Sequence, residues 1–165
     1  MKKLLLLLFV FCLFIPLSPK AKMELKTRSD VFSFLKDAFH AQVALSEKGR
    51  SMAEIKKIVD PYFSDEYQKV FEKENIVKVK GKYITYGSDF ARYYIPFYKF
   101  SDKTRVVFKK NKIYVFEYFP ESKEGPVGYK SHYEGILLEY KSGNWKVSKY
   151  LFDKIPSNII RESIH

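Results

Sequence analysis

His132 and Glu134 lie two positions apart in a stretch, Tyr129 to Tyr140, whose alternation predicts a β-strand, so both side chains are expected on one side of it. An imidazole beside a carboxylate can move a proton, and this is the one pair in the chain that suits general acid–base work. A surface or structural role explains such a pair as well, and we expect no catalytic residues. Asp89 and Tyr129 are the other polar groups that could approach one another in space. His40 follows an apolar helical stripe and is read as a packing residue, and His165 is the last residue. There is no Ser-His-Asp spacing, no glycine-rich phosphate loop and no cluster with metal-ligand spacing. One Cys and three His exclude a disulfide framework and a Cys-rich zinc site, and neither a metal nor a cofactor is expected.

Binding chemistry is better represented. Between Tyr83 and Phe100 there are eight aromatic rings in 18 residues. Rings of this size fill a core or line a pocket for a small apolar ligand. Tyr83, Phe90, Tyr94 and Phe97 are the candidate lining residues, and Arg92, set among them, could reach a carboxylate or phosphate. Pro96 predicts an irregular segment here rather than a central strand. Glu124-Gly125-Pro126-Val127-Gly128 is a loop that could form the rim of such a pocket.

Charge is distributed unevenly. The 165 residues carry a net charge of +11, but residues 24 to 75 hold 9 basic and 10 acidic side chains, and residues 113 to 165 hold 7 of each. Residues 76 to 112 hold 10 basic and 2 acidic, so this segment alone carries +8. Lys78, Lys80 and Lys82 alternate with Val77 and Val79 and are expected on one face of a strand. Arg105, Lys109, Lys110 and Lys112 could extend that face. It suits an anionic polymer, lipid head groups or an acidic protein, although lysines also guard strand edges against aggregation and keep a chain soluble.

The beginning of the chain bears on which anion that could be. Met-Lys-Lys precedes 14 apolar residues, Leu4 to Leu17, and then Ser18-Pro19-Lys20. This is the layout of a secretory signal over residues 1–21, too short to cross a bilayer comfortably as a permanent helix, with an uncleaved anchor as the alternative. Val10-Phe11 before Cys12 are not the small residues a lipoprotein signal requires. An extracytoplasmic address follows, secreted or held at the outer face of the cytoplasmic membrane. It argues against nucleic acid as a partner.

The elements that must position these residues are helices followed by strands. Thr27 and Asp30 cap a first helix with Val31, Phe34, Leu35 and Ala38 on one face. Ser51 and Glu54 form a capping box for a short second helix stopped by Asp60-Pro61, and Ser64 opens a third that runs to about Glu74. From Ile76 the period becomes two. Ile76 to Tyr86 is a candidate strand broken at Gly81, Arg105–Lys109 and Lys112–Phe119 form a hairpin, and Tyr129–Tyr140 and Trp145–Phe152 form another. The expectation is a single α+β domain over residues 22–165, with helices on one face of an antiparallel sheet and a short C-terminal tail.

Ser142-Gly143-Asn144-Trp145-Lys146-Val147 within residues 136–152 resembles the last hairpin of nuclear transport factor 2-like, or cystatin-like, domains. That resemblance implies a strongly curved sheet closing a cone around the helices, a cavity that some relatives use for ligands or catalysis, and dimerisation through the open sheet face. The stretches YITYGSDF, YYIPFY and EGPVGY are also similar to small exported proteins of unknown function from Gram-positive bacteria. The expected function is a non-catalytic binding module at the cell envelope, working through its basic face. The alternatives are a small-ligand carrier or cone-pocket enzyme, and a homodimeric assembly protein.

Overall fold

The computed structural model describes residues 24–87, 91–124 and 128–164. Three helices come first: α1 Arg28–Ala44, α2 Met52–Val59 and α3 Asp65–Asn75. Thr27 and Ser51 each form a complete capping box, with Asp30 and Glu54 returning the hydrogen bond, and the Ser64 hydroxyl accepts from the Tyr67 amide. The strands β1 Ile76–Val79 and β2 Lys82–Thr85 form one two-stranded sheet. The strands β3 Arg105–Lys109, β4 Lys112–Phe119, β5 His132–Lys141 and β6 Asn144–Phe152 form a four-stranded antiparallel sheet in that order. A short helix, α4 Ser157–Glu162, follows. The protein is an α+β protein with N-terminal helices and antiparallel sheets.

Each face of the larger sheet has its own core. Ile113, Val115, Ile136, Leu138 and Val147 pack with Val31, Phe34 and Leu35 of α1, Ile55 and Val59 of α2, and Phe71 of α3. On the opposite face, Phe116, Val107, Leu137 and Leu151 are covered by Ile155 and by Ile159 of α4. Gly135 lets this second layer close, since a Cβ there would collide with Ile155 Cδ1 and press on Phe116 Cβ. The register slips between Leu137 and Leu138, where β6 holds one residue more than β5 and the Ser148 hydroxyl bonds the Leu137 carbonyl. Such a bulge increases local twist. Beyond β6, the Val147 amide bonds the Tyr62 carbonyl and the Ser64 amide bonds the Val147 carbonyl, tying the loop before α3 to the sheet edge.

Two expectations need correction. The segment from Ile76 is a hairpin rather than one broken strand, because Lys80 and Gly81, at φ 47° and 79°, turn the chain back on itself. Lys80 is in the turn. Lys78 pairs with Tyr83 and Lys82 with Val79, which are successive ladder positions and therefore opposite faces of the ribbon. The three lysines are all exposed but do not share a face. The last residues also form a helix where a tail is expected.

Candidate functional site

The first helix fixes an irregular segment over one end of the sheet. Gln42, fully buried on α1, donates from Nε2 to the Tyr93 carbonyl at 2.8 Å, and its Oε1 accepts from the Ile95 amide at 2.8 Å. The Tyr67 hydroxyl donates to the same Tyr93 carbonyl, and Asn75 Nδ2 to the Arg92 carbonyl, each at 2.8 Å. No strand forms from Ala91 to Phe100, and Tyr93 sits at φ 65°, a conformation that a non-glycine residue holds only when its surroundings enforce it. The segment ends in Tyr98, whose buried hydroxyl donates to the Val115 carbonyl at 3.1 Å.

Between this strap and the outer ends of β5 and β6 lies a cavity of about 760 Å³. Its far wall follows from cross-strand register. Along the helix-facing side of β5 the residues run Leu138, Ile136, Glu134, His132, passing from apolar to polar as the strand leaves the core. Phe119 lies opposite His132, and Phe152 opposite Glu134. The His132 ring is consequently sandwiched, 5.6 Å from Phe119 at 12° and 4.7 Å from Phe152 at 25°, with Tyr129 edge-on at 5.3 Å.

A chain of hydrogen bonds holds the polar floor. His132 Nδ1 is 2.7 Å from the Lys130 carbonyl, Nε2 is 3.0 Å from Glu134 Oε1, and the Tyr150 hydroxyl donates to Glu134 Oε2 at 3.1 Å. Both imidazole nitrogens face acceptors, which the doubly protonated ring satisfies and the neutral ring cannot. Burial works against that charge, but the Lys130 carbonyl and the Glu134 carboxylate outweigh it and raise the His132 pKa above its ordinary 6.5. Burial, and then the neighbouring Glu134 charge, push the Tyr150 phenol far up, so it remains a donor. Each Glu134 oxygen already accepts a bond, and the arrangement is suited to presenting a fixed polar surface rather than a loose base.

Of the pocket residues read from sequence, Arg92, Tyr94 and Phe97 line the cavity. Tyr83 does not. It exchanges both backbone hydrogen bonds with Arg50 and carries the Lys78 ammonium 5.6 Å over its ring. Phe90 and Asp89 lie outside the described residues, as do Gly125, Pro126, Val127 and the apolar N-terminal run. His132 and Glu134 belong to the cavity rather than to the outer surface. Tyr150, Phe119 and Phe152 escape sequence reading because each sits in an apolar pattern typical of core and only the register reveals its role, while Gln42 is revealed by its hydrogen bonds to Tyr93 and Ile95.

The basic residues are dispersed. Lys78, Lys80 and Lys82 are on the small ribbon, whereas Arg105, Lys109, Lys110 and Lys112 belong to the β3–β4 hairpin of the other sheet. Lys109 pairs with Glu162 of α4, and Lys112 with Glu139 at 3.4 Å. Among the described residues there is no group of three or more His, Cys, Asp or Glu side chains that could hold a metal ion, and no helix is long and apolar enough to cross a membrane.

Fold and site together define an α+β protein with an aromatic cavity, floored by a histidine–carboxylate–tyrosine chain, at one end of an antiparallel sheet. Residues 27–119 match a family described as a protein of unknown function, DUF3993, and the chain belongs to that family. The matched region contains α1 to α3, the strap and Phe119, while the polar floor on β5 and β6 lies past its end. The curated proteins provide no match to this chain.

Proposed function

We propose that the protein is an exported, non-catalytic binding module of a bacterial cell envelope, and that its ligand occupies the aromatic cavity. The cavity carries this reading: about 760 Å³, walled by rings and floored by polar groups held in place, is the usual form of a small-molecule site. The N-terminal Lys-Lys and apolar run support the extracytoplasmic address. Helices over one face of an antiparallel sheet, closed by the Gly143-Asn144-Trp145 hairpin, support a nuclear transport factor 2-like scaffold, a fold that builds its sites inside a cone. Fluorescence titration of the full chain with the apolar probe phenylnaphthylamine tests the reading. Ser131 lines the cavity and is exposed, so Ser131→Trp should fill the mouth and weaken the probe about tenfold, roughly 1.4 kcal/mol. Wild-type affinity in that variant would sink it.

A second reading has the basic segment meet an anionic envelope polymer, lipid surface or acidic protein. Lys78, Lys80, Lys82, Arg105 and Lys110 favour it, since all five are exposed and none forms an ion pair among the described residues. Each lysine near an anionic membrane contributes about 1 kcal/mol, less where it faces away from the surface. Changing Lys78, Lys80 and Lys82 together to Glu should reduce cosedimentation with phosphatidylglycerol vesicles at least tenfold at low salt. Undiminished sedimentation removes this reading and leaves the first intact.

A further inference from the structure

The polar groups around the cavity are not equally free to meet a ligand. Glu134 uses one carboxylate oxygen for His132 and the other for Tyr150. Asp153 commits Oδ1 to the Tyr133 amide at 2.7 Å. Both nitrogens of His132 are taken. Three cationic side chains that line the space, Arg92, Lys130 and Lys154, form no ion pair among the described residues. Among the described residues they face two carboxylates, Glu134 and Asp153, and Glu134 is already spanned by His132 and Tyr150. A cationic ligand would be repelled, and a neutral one would leave Arg92, Lys130 and Lys154 with no counter-charge among the described residues.

The apolar part of the site is equally uncovered. Phe97 is 59% and Phe152 47% exposed at the mouth, and Phe97 packs edge-on at 5.2 Å against Phe39 of α1. Rings beside cations favour a ligand that covers the one and neutralises the other.

From these features, and resting on the cavity reading above, we infer that the ligand is an organic anion, an apolar or aromatic body that stacks on Phe97 and Phe152 and carries an acidic head group to Arg92, Lys130 and Lys154.

Two fluorescent probes with the same ring body separate the charge from the rings: anilinonaphthalene sulfonate, an anion, and phenylnaphthylamine, which is neutral. Titrated into the full chain at low salt, the anion should bind about tenfold more tightly, and the gap should narrow at high salt as the charges are screened. Arg92→Gln combined with Lys154→Gln should close the gap by weakening the anion, and an anion that keeps its advantage in that variant would overturn the assignment. Equal binding of the two probes, or tighter binding of the neutral one, would overturn the anion and leave the cavity standing. If both probes bind Ser131→Trp as they bind the unaltered chain, the cavity reading fails, and the anion with it. Circular dichroism of each variant establishes that it has folded. A variant that has not is replaced by Lys130→Gln, which changes one exposed side chain.

Discussion

Replacing Gln42 with Leu is expected to lower the stability of the folded chain by about 2 kcal/mol, although the new side chain is apolar, similar in size and enters a buried site. The reason is the strap. Among the described residues the Ile95 amide donates to Gln42 Oε1 alone, and an orphaned buried donor costs about 1–3 kcal/mol. The Tyr93 carbonyl retains the Tyr67 hydroxyl, so the loss falls mainly on Ile95. Tyr93 at φ 65° can relax only in part, because the Tyr67 hydroxyl still holds its carbonyl, so little of the loss is recovered as relieved strain. Urea unfolding should move to a lower midpoint with an unchanged slope, and phenylnaphthylamine should lose affinity because one wall has shifted. A variant with an unaltered midpoint would show that the strap is held by its rings alone.

Glu134→Ala is expected to cost a similar amount, about 2 kcal/mol, since it strands two donors at once, the His132 Nε2 proton and the Tyr150 hydroxyl. Glu134→Gln is the more informative change. It preserves shape and removes the charge that helps keep His132 protonated. The His132 pKa is raised in the folded state, so its contribution to stability is complete below the unfolded value of 6.5 and fades as the pH rises through the higher folded value. The unaltered protein should therefore lose stability on going from about pH 6 toward alkaline pH, and Glu134→Gln should lose less over that interval. Asp153 also favours the imidazolium, so part of the slope should survive in the variant. Parallel slopes in urea titrations across this range would place the proton elsewhere.

How much of this was legible beforehand depends on whether the signal is local. The caps at Thr27, Ser51 and Ser64 and the β3–β4 hairpin at Lys110-Asn111 are local, and sequence and structure agree on them. The ribbon is misread because Lys78, Lys80 and Lys82 keep the spacing of a single strand while Lys80 and Gly81 adopt positive φ. Helix α4 escapes because six residues with Pro156 before them and no side-chain cap give no periodic pattern to detect. The candidate site is half legible. His132 and Glu134 stand out by type, but which way they face depends on the pairing of Phe119 with His132 and Phe152 with Glu134, and residues 12 or more apart in the chain decide that. Tyr83 illustrates the converse: an aromatic in the right neighbourhood of sequence is claimed by the backbone of Arg50.

One face of the large sheet is closed by α1, which precedes it in the chain, and the other by Ile155 and Ile159, which follow it. A ribosome delivers the first helices early, but Phe116 and Leu137 have no cover until Ile155 and Ile159 have been made. That face of the sheet therefore reaches its final packing only after all four of its strands and the first turn of α4 have been made, a late step for a layer that buries Phe116 and Leu137.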